Sequence, residues 1–162
     1  MLDKKNIVIQ KLDYKDIPQF LSWRGTDRYL RQILEREIAH HKEGTKVIFI
    51  AKLNETIIGT VQFVSVHRDR ELADGKETAY LQALDVVPQY RRQGIGTCLI
   101  ETVEREAFLK GFERLSIIVE PNNNPALALY QKLGFKEFKR SLDCWRGKRY
   151  PVICLIKNNG TF

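Results

Sequence analysis

The sequence predicts an α+β domain: a mixed, mostly antiparallel sheet of about seven strands with four helices packed on it. Three observations carry this. Runs of period-2 and period-3.6 hydrophobicity alternate in the order β-α-α-β-β-β-α-β-α-β-β. Turn-linked strands early in that order read as an antiparallel meander. A strand, helix, strand succession in its middle reads as a crossover between parallel neighbours, with the helix in a third layer.

The elements follow in chain order. "NIVIQKL" (6–12) alternates as a strand should. A helix comes next, with Asp13 as its cap, Pro18 early where a helix tolerates it, and Ile17, Phe20 and Leu21 on one face. Gly25 ends it. Thr26 or Asp27 caps a second helix, whose stripe is Tyr29, Leu30, Ile33, Leu34 and Ile38, and Gly44 closes it. His40 and His41 read as caps of a basic helix end. Two β-branched runs around "LNET" (53–56) make a hairpin. Residues 69–77 read as a polar turn, and 78–87 as a strand stopped by Pro88. Ile95, Leu99, Val103 and Ala107 define a helix over 94–110, ended by Gly111. "RLSIIVE" (114–120) is a strand, followed by an Asn-rich loop and a short helix stopped by Gly134. Strands over 135–140 and 150–157 finish the chain, joined by "SLDCWRGKR" (141–149), which reads as turn.

The 162 residues suit one domain, 1–162. No apolar run approaches the roughly 20 residues of a membrane span. "MLDKKNIVIQ" has no signal-peptide pattern, so the reading defaults to the cytoplasm. Three widely spaced cysteines and three histidines form neither a disulfide framework nor a metal-ligand pattern, and no metal is expected. The net charge of +7 favours anionic partners: nucleic acid, an acidic membrane, or a phosphorylated cofactor.

The stretch Arg91-Arg92-Gln93-Gly94-Ile95-Gly96 lies between a strand and a helix. A helix start presents unpaired N–H groups and partial positive charge, and glycines let a ligand approach them. Arg91 and Arg92 add fixed charge. The Lys-Ser/Thr of a P-loop is missing, and position 99 is Leu where the dinucleotide fingerprint needs Gly. Alone, the stretch leaves open a diphosphate cradle or a plain turn. A second constellation is Asn123, Ala126, Leu129, Tyr130, Gly134 and Phe135. If the crossover rule holds, strands 78–87 and 114–120 lie parallel, and both loops meet beyond their C-terminal ends.

These two constellations, Gln/Arg-x-x-Gly-x-Gly/Ala and then Asn-x-x-Ala-x-x-Leu-Tyr-x-x-x-Gly-Phe, resemble those of the GCN5-related N-acetyltransferase (GNAT) superfamily. Its specific residues fall in the second half of the chain; the element order extends the likeness over nearly all of it. The resemblance implies acetyl-CoA as co-substrate in a V between two parallel strands. It implies that Leu84, Asp85 and Val86 pair with the pantetheine arm, and that amides of Arg92, Gln93, Gly94, Ile95, Gly96 and Thr97 cradle the pyrophosphate. Asn123 would contact pantetheine beside Ala126, and Tyr130 would protonate the leaving thiolate. A tyrosine, with its ordinary pKa near 10, suits that task. Some members carry a glutamate where this chain has Ile118. Glu120 lies on the same face two residues on and is a candidate base, with Asp85 or water as alternatives.

The family's acceptor region maps here to 22–30, 69–77 and 141–151. Trp23, Tyr29 and Trp145 are candidate walls and Asp27 a candidate ammonium ligand, against the simpler reading that each only packs. The cluster Arg140, Arg146, Lys148 and Arg149 reads as a solvated face. The expected function is therefore acetyl transfer to a primary amine, of a small molecule or a protein, by direct attack in a ternary complex. The rival readings are a CoA-binding sensor without turnover and a basic nucleic-acid-binding module. The latter lacks any recognisable nucleic-acid motif, so neither nucleic acid nor membrane is the expected partner. The oligomeric state, a homodimer included, stays open.

Overall fold

A computed structural model describes residues 3–158. The signal-peptide reading rests partly on Met1 and Leu2, which lie outside the described residues. The elements are β1 (Ile7–Lys11), α1 (Ile17–Arg24), α2 (Arg28–Glu43), β2 (Lys46–Leu53), β3 (Thr56–Val64), β4 (Thr78–Val86), α3 (Ile95–Leu109), β5 (Arg114–Val119), α4 (Asn124–Lys132), β6 (Lys136–Trp145) and β7 (Lys148–Asn158). The predicted order holds. The strands form one seven-stranded sheet, β1-β2-β3-β4-β5-β7-β6. Among the described residues only the β4–β5 pairing is parallel.

Each face has its own core. On one, α3 lays Ile95, Leu99, Val103 and Ala107 against Phe49, Phe63, Leu81, Leu115 and Leu155. Its period-4 stripe is buried throughout. Glu104 of this helix meets Lys157 of β7 at 2.9 Å, a buried ion pair tying helix to sheet. On the opposite face, Phe20 and Leu21 of α1 and Leu34 and Ile38 of α2 cover Ile48, Ile50 and Ile57. The rest of that face is covered by Leu72 and Ala73, which pack on Val64, Tyr80, Val152 and Cys154.

Several local expectations are corrected. The segment read as a polar turn over 69–77 is a core-covering loop, since Leu72 and Ala73 are buried. Asp74 holds its end by accepting the N–H groups of Lys76, Glu77 and Thr78. Residues 141–149 are mostly strand. The hairpin β6–β7 runs to Trp145 and turns on Arg146 and Gly147, both at positive φ, as a two-residue turn of right-twisted strands requires. Asp13 makes no side-chain cap. A 3-10 turn over Tyr14–Asp16 intervenes, and the buried Asp16 carboxylate instead reaches Lys52 at 3.1 Å. Asp27 does cap α2, accepting from Leu30 N–H at 2.9 Å. Of the α2 stripe only Leu34 and Ile38 are buried. His41 bonds strand backbone rather than capping its helix. Its Nδ1 accepts the Ile48 N–H, so the proton lies on Nε2, which donates to the Leu12 carbonyl at 2.9 Å.

Two irregularities in β4 position the site. Asp85 pairs with Thr60 and Gln82 with Gln62, so Ala83 and Leu84 together oppose Val61. Ala83 takes φ +56 to make this bulge, which bends the strand. The parallel pairing with β5 covers only Thr78–Tyr80 against Arg114–Ser116. Beyond it β5 stays with β7 as far as Val119, and β4 departs. The sheet therefore forks, with its mouth at the C-terminal ends of β4 and β5.

Candidate active site

A cavity of about 750 Å³ occupies the fork on the α3 side. Leu84, Asp85 and Val86 form its β4 wall, and Arg91, Arg92, Gly94, Gly96 and Thr97 its end. Asn123, Ala126 and Tyr130 line it from α4, together with Leu129, a residue of the same sequence pattern, and Pro125, which the sequence reading passed over. Two nominated residues stand apart from the lining: Ile95 is buried in the α3 core, and the Gln93 side chain turns to the Gln89 carbonyl at 3.5 Å. Their backbone groups still belong to the loop.

That loop is shaped for an anion. Arg92 and Gly94 adopt φ +60 and +86, which turns the chain sharply into α3. The start of α3 carries no side-chain cap, and among the described residues the N–H groups of Arg92 to Thr97 have no hydrogen-bond partner. A Cβ on Gly96 would meet nothing within 4 Å, so glycine here leaves open space for a ligand. Unpaired N–H groups at a helix start, with room above them, fit a phosphate.

Asp85 and the arginines form a strut that the sequence does not disclose. Arg24, at the end of α1, contacts one oxygen of Asp85, and Arg91 Nη2 contacts the other at 3.1 Å. Arg91 Nε also donates to the Val86 carbonyl at 2.7 Å. Both oxygens of Asp85 are thus engaged, which leaves it poorly placed to take a substrate proton. Arg91 is turned back onto β4.

Asn123 caps α4 through Oδ1, which accepts the Ala126 N–H at 3.3 Å. Its NH₂ remains a donor beside the cavity. Tyr130 is 7% exposed and packs edge-on to Phe135, ring centroids 6.1 Å apart. Burial pushes its phenol above the ordinary value, so it holds its proton throughout the neutral range.

Glu120 lies on the other side of the fork. It is exposed and lines a second hollow of about 460 Å³ with Asp143, Trp145, Tyr150 and Val152. Ile118, on its side of β5, packs in the cluster under Leu72, whereas Tyr130 packs with α3. Glu120 and Tyr130 thus approach the fork from opposite faces. Asp143 and Tyr150 fall within the acceptor region 141–151 but were not singled out, because Asp143 was read as turn and Tyr150 as the unpaired start of the last strand; their cross-strand pairing puts them on one face.

The four candidate acceptor residues divide. Asp27 Oδ2 pairs with Arg146 at 2.6 Å, and with the Leu30 N–H on Oδ1 its carboxylate is occupied. The Leu30 N–H first, then Arg146, hold its carboxyl below the ordinary value. Tyr29 meets Trp145 edge-on at 5.7 Å, with the Arg146 guanidinium over both rings. These three join the α1–α2 loop to the β6–β7 tip. Trp23 packs on the α1–α2 core beneath the Arg24 guanidinium, 5.2 Å from its ring.

Comparison with known proteins agrees with this architecture. A family model described as Acetyltransferase (GNAT) family matches residues 12–135. An N-alpha-acetyltransferase of Sulfurisphaera tokodaii is 29% identical over 109 residues, covering 63% of this chain and 64% of that protein. The match therefore spans less than two thirds of that relative. An aminoglycoside N(6')-acetyltransferase type 1 of Salmonella typhimurium is 26% identical over 125 residues, covering 73% and 86%. Among solved structures, an N-acetyltransferase from Staphylococcus aureus Mu50 superposes with a TM-score of 0.75 at 16% identity, covering 95% of this chain and 99% of that one. A GNAT family acetyltransferase from Elizabethkingia anophelis with acetyl-CoA bound gives 0.69 at 22% identity, covering 96% and 99%. At these identities the superpositions establish the fold. No helix among the described residues is long and apolar enough to cross a membrane.

Proposed function

The chain belongs to the acetyltransferase (GNAT) family, and on that premise we propose that it transfers an acetyl group from acetyl-CoA to a primary amine within a ternary complex. The observation that carries the proposal is the forked sheet with a hollow on each face. One hollow has anion-binding N–H groups and a protonated tyrosine; the other has two carboxylates and two aromatic rings.

Acetyl-CoA supplies an acetyl thioester, from which an amine takes the acyl group with expulsion of thiolate. The rest is the chain's own work. The N–H groups from Arg92 to Thr97 hold the diphosphate. Backbone groups of Leu84, Asp85 and Val86, on the side of β4 that has no strand partner, bind the pantetheine amides, as does the Asn123 NH₂. The Tyr130 hydroxyl gives its proton to the departing sulfur. Glu120 takes a proton from the incoming ammonium, directly or through water. Asp143, Trp145 and Tyr150 favour a cation beside it, the carboxylate by charge and the rings by cation–π attraction. Positioning of the two reactants across the fork supplies much of the rate.

Two measurements test this in turn. Calorimetric titration should show saturable acetyl-CoA binding. A panel of amines, of small molecules and of peptide N-termini and lysines, should then release free thiol from acetyl-CoA. No binding at millimolar ligand would overturn the proposal. Binding without turnover of any amine would make the protein a sensor.

A further inference from the structure

We propose that Lys4 is a ligand of the cofactor's diphosphate, supplied from outside the strand-to-helix loop that forms the rest of the cradle. The inference rests on the acetyl-CoA reading above. Lys4 Nζ stands 3.4 Å from where a Cβ on Gly94 would lie. Gly94, the residue before α3, lies within the run of unpaired N–H groups from Arg92 to Thr97, so the ammonium sits beside the amides themselves.

The topology explains how so distant a residue arrives there. β1 is antiparallel to β2 with Ile7 opposite Leu53, and Gly59, just past the β2–β3 turn, pairs with Val86. The chain's beginning and the end of β4 therefore share one end of the sheet. Lys4 is also held in position. It lies in a 3-10 turn, Lys4–Asn6, capped by Asp3, whose side chain accepts the Lys5 N–H at 3.1 Å. The Ile7 N–H bonds the Lys4 carbonyl, and the Asn54 N–H bonds the Asn6 carbonyl at 3.4 Å.

Charge points the same way. Among the described residues no carboxylate pairs with Lys4. Of the two cations nominated by the sequence, Arg92 lines the cavity, whereas Arg91 is held by Asp85 and the Val86 carbonyl, which leaves room for a second cation at the cradle. An ammonium without a counter-ion, adjoining unpaired N–H groups, is a site for an anion. The absent side chain at Gly94 leaves the approach open.

The test titrates acetyl-CoA and its 3′-dephospho analogue, still acetylated on sulfur, into wild type, Lys4→Gln, Lys4→Arg and Lys5→Gln by calorimetry, with thermal melts as folding controls. Lys4→Gln should weaken both ligands alike, about three- to tenfold, and the deficit should shrink in about 0.5 M salt. Lys4→Arg should stay close to wild type. Lys5→Gln, which removes the same charge one residue away, should bind within about twofold of wild type. The inference is overturned if the two Gln variants behave alike, or if the loss is confined to acetyl-CoA, which would put Lys4 on the 3′-phosphate. Wild type binding neither ligand would instead refute the acetyl-CoA reading itself.

Discussion

Replacing Tyr130 by Phe isolates one oxygen atom. The ring is 7% exposed and keeps its edge-on contact with Phe135. Among the described residues no group hydrogen-bonds the hydroxyl, so its loss strands no partner. Stability should therefore change by about 0.5 kcal/mol or less. Affinity for acetyl-CoA should hold within about threefold, because Phe retains the apolar wall. The acyl-transfer step should fall much further. A positioned general acid contributes about 10²–10⁴-fold, or about 2.7–5.4 kcal/mol. The cavity, at about 750 Å³, has room for water that can donate in place of the phenol, which places the expectation near 100-fold. Single-turnover quenched-flow with acetyl-CoA and the best amine of the panel reads this step free of product release. Because burial raises the phenol above its ordinary value near 10, the wild-type rate should show no decline owed to Tyr130 between pH 7 and about 9. A Phe variant that turns over within about twofold of wild type would refute Tyr130 as the acid.

Asp85→Ala should leave Arg91 tied to β4 through the Val86 carbonyl alone and Arg24 without its carboxylate, weakening acetyl-CoA several-fold by titration and lowering stability by about 1–2 kcal/mol; unchanged values for both would dismiss the strut. Gly59→Ala puts a Cβ 3.1 Å from Leu99 Cδ1 and 3.4 Å from the Asp85 carbonyl oxygen. Urea melts should show a loss of about 1–3 kcal/mol as α3 is forced outward, and an unchanged midpoint would contradict it. The Asp74 carboxyl is held down at about 2, by the N–H groups of Thr78 first and then Lys76 and Glu77. Its folded value lies below its unfolded one, so its stabilisation is present above about pH 4 and is lost as pH falls through about 2. Asp74→Asn should cost about 1 kcal/mol at pH 7, allowing for solvent screening, with the gap closing by pH 2. A gap that stays constant with pH would show that charge is not the cause.

The parts of this molecule that were legible from sequence are those where one local rule decides. The stripe of α3 and its glycine start are local, and the structure buries every residue of that stripe. The crossover rule placed β4 beside β5. The parts that escaped depend on partners distant in the chain. β6 was cut short because its charged, half-exposed sequence as an edge strand hides the alternation, and only the pairing with β7 reveals it. The strut joins Arg24 to Asp85 across 61 positions, and no spacing rule reaches that far. Alternation put Glu120 on the side of Ile118, but only the assembled sheet shows that Tyr130 comes from the opposite face.

The fork between β4 and β5 has a mechanical consequence. Among the described residues only three residue pairs register β4 against β5, helped by the Glu113 and Arg114 N–H groups, which both donate to the Glu77 carbonyl just before them, so the seam between the β1–β4 half and the β5–β7–β6 half is short. A sheet with so short a seam resists bending poorly there, and an extended molecule laid in the gap would act as a splint. Amide hydrogens of residues 82–87 and 117–120, next to the open end of the seam, should then exchange fast in the empty protein and slow when it is filled. Rigidity across the whole sheet would thus be borrowed from the co-substrate and returned each time product leaves.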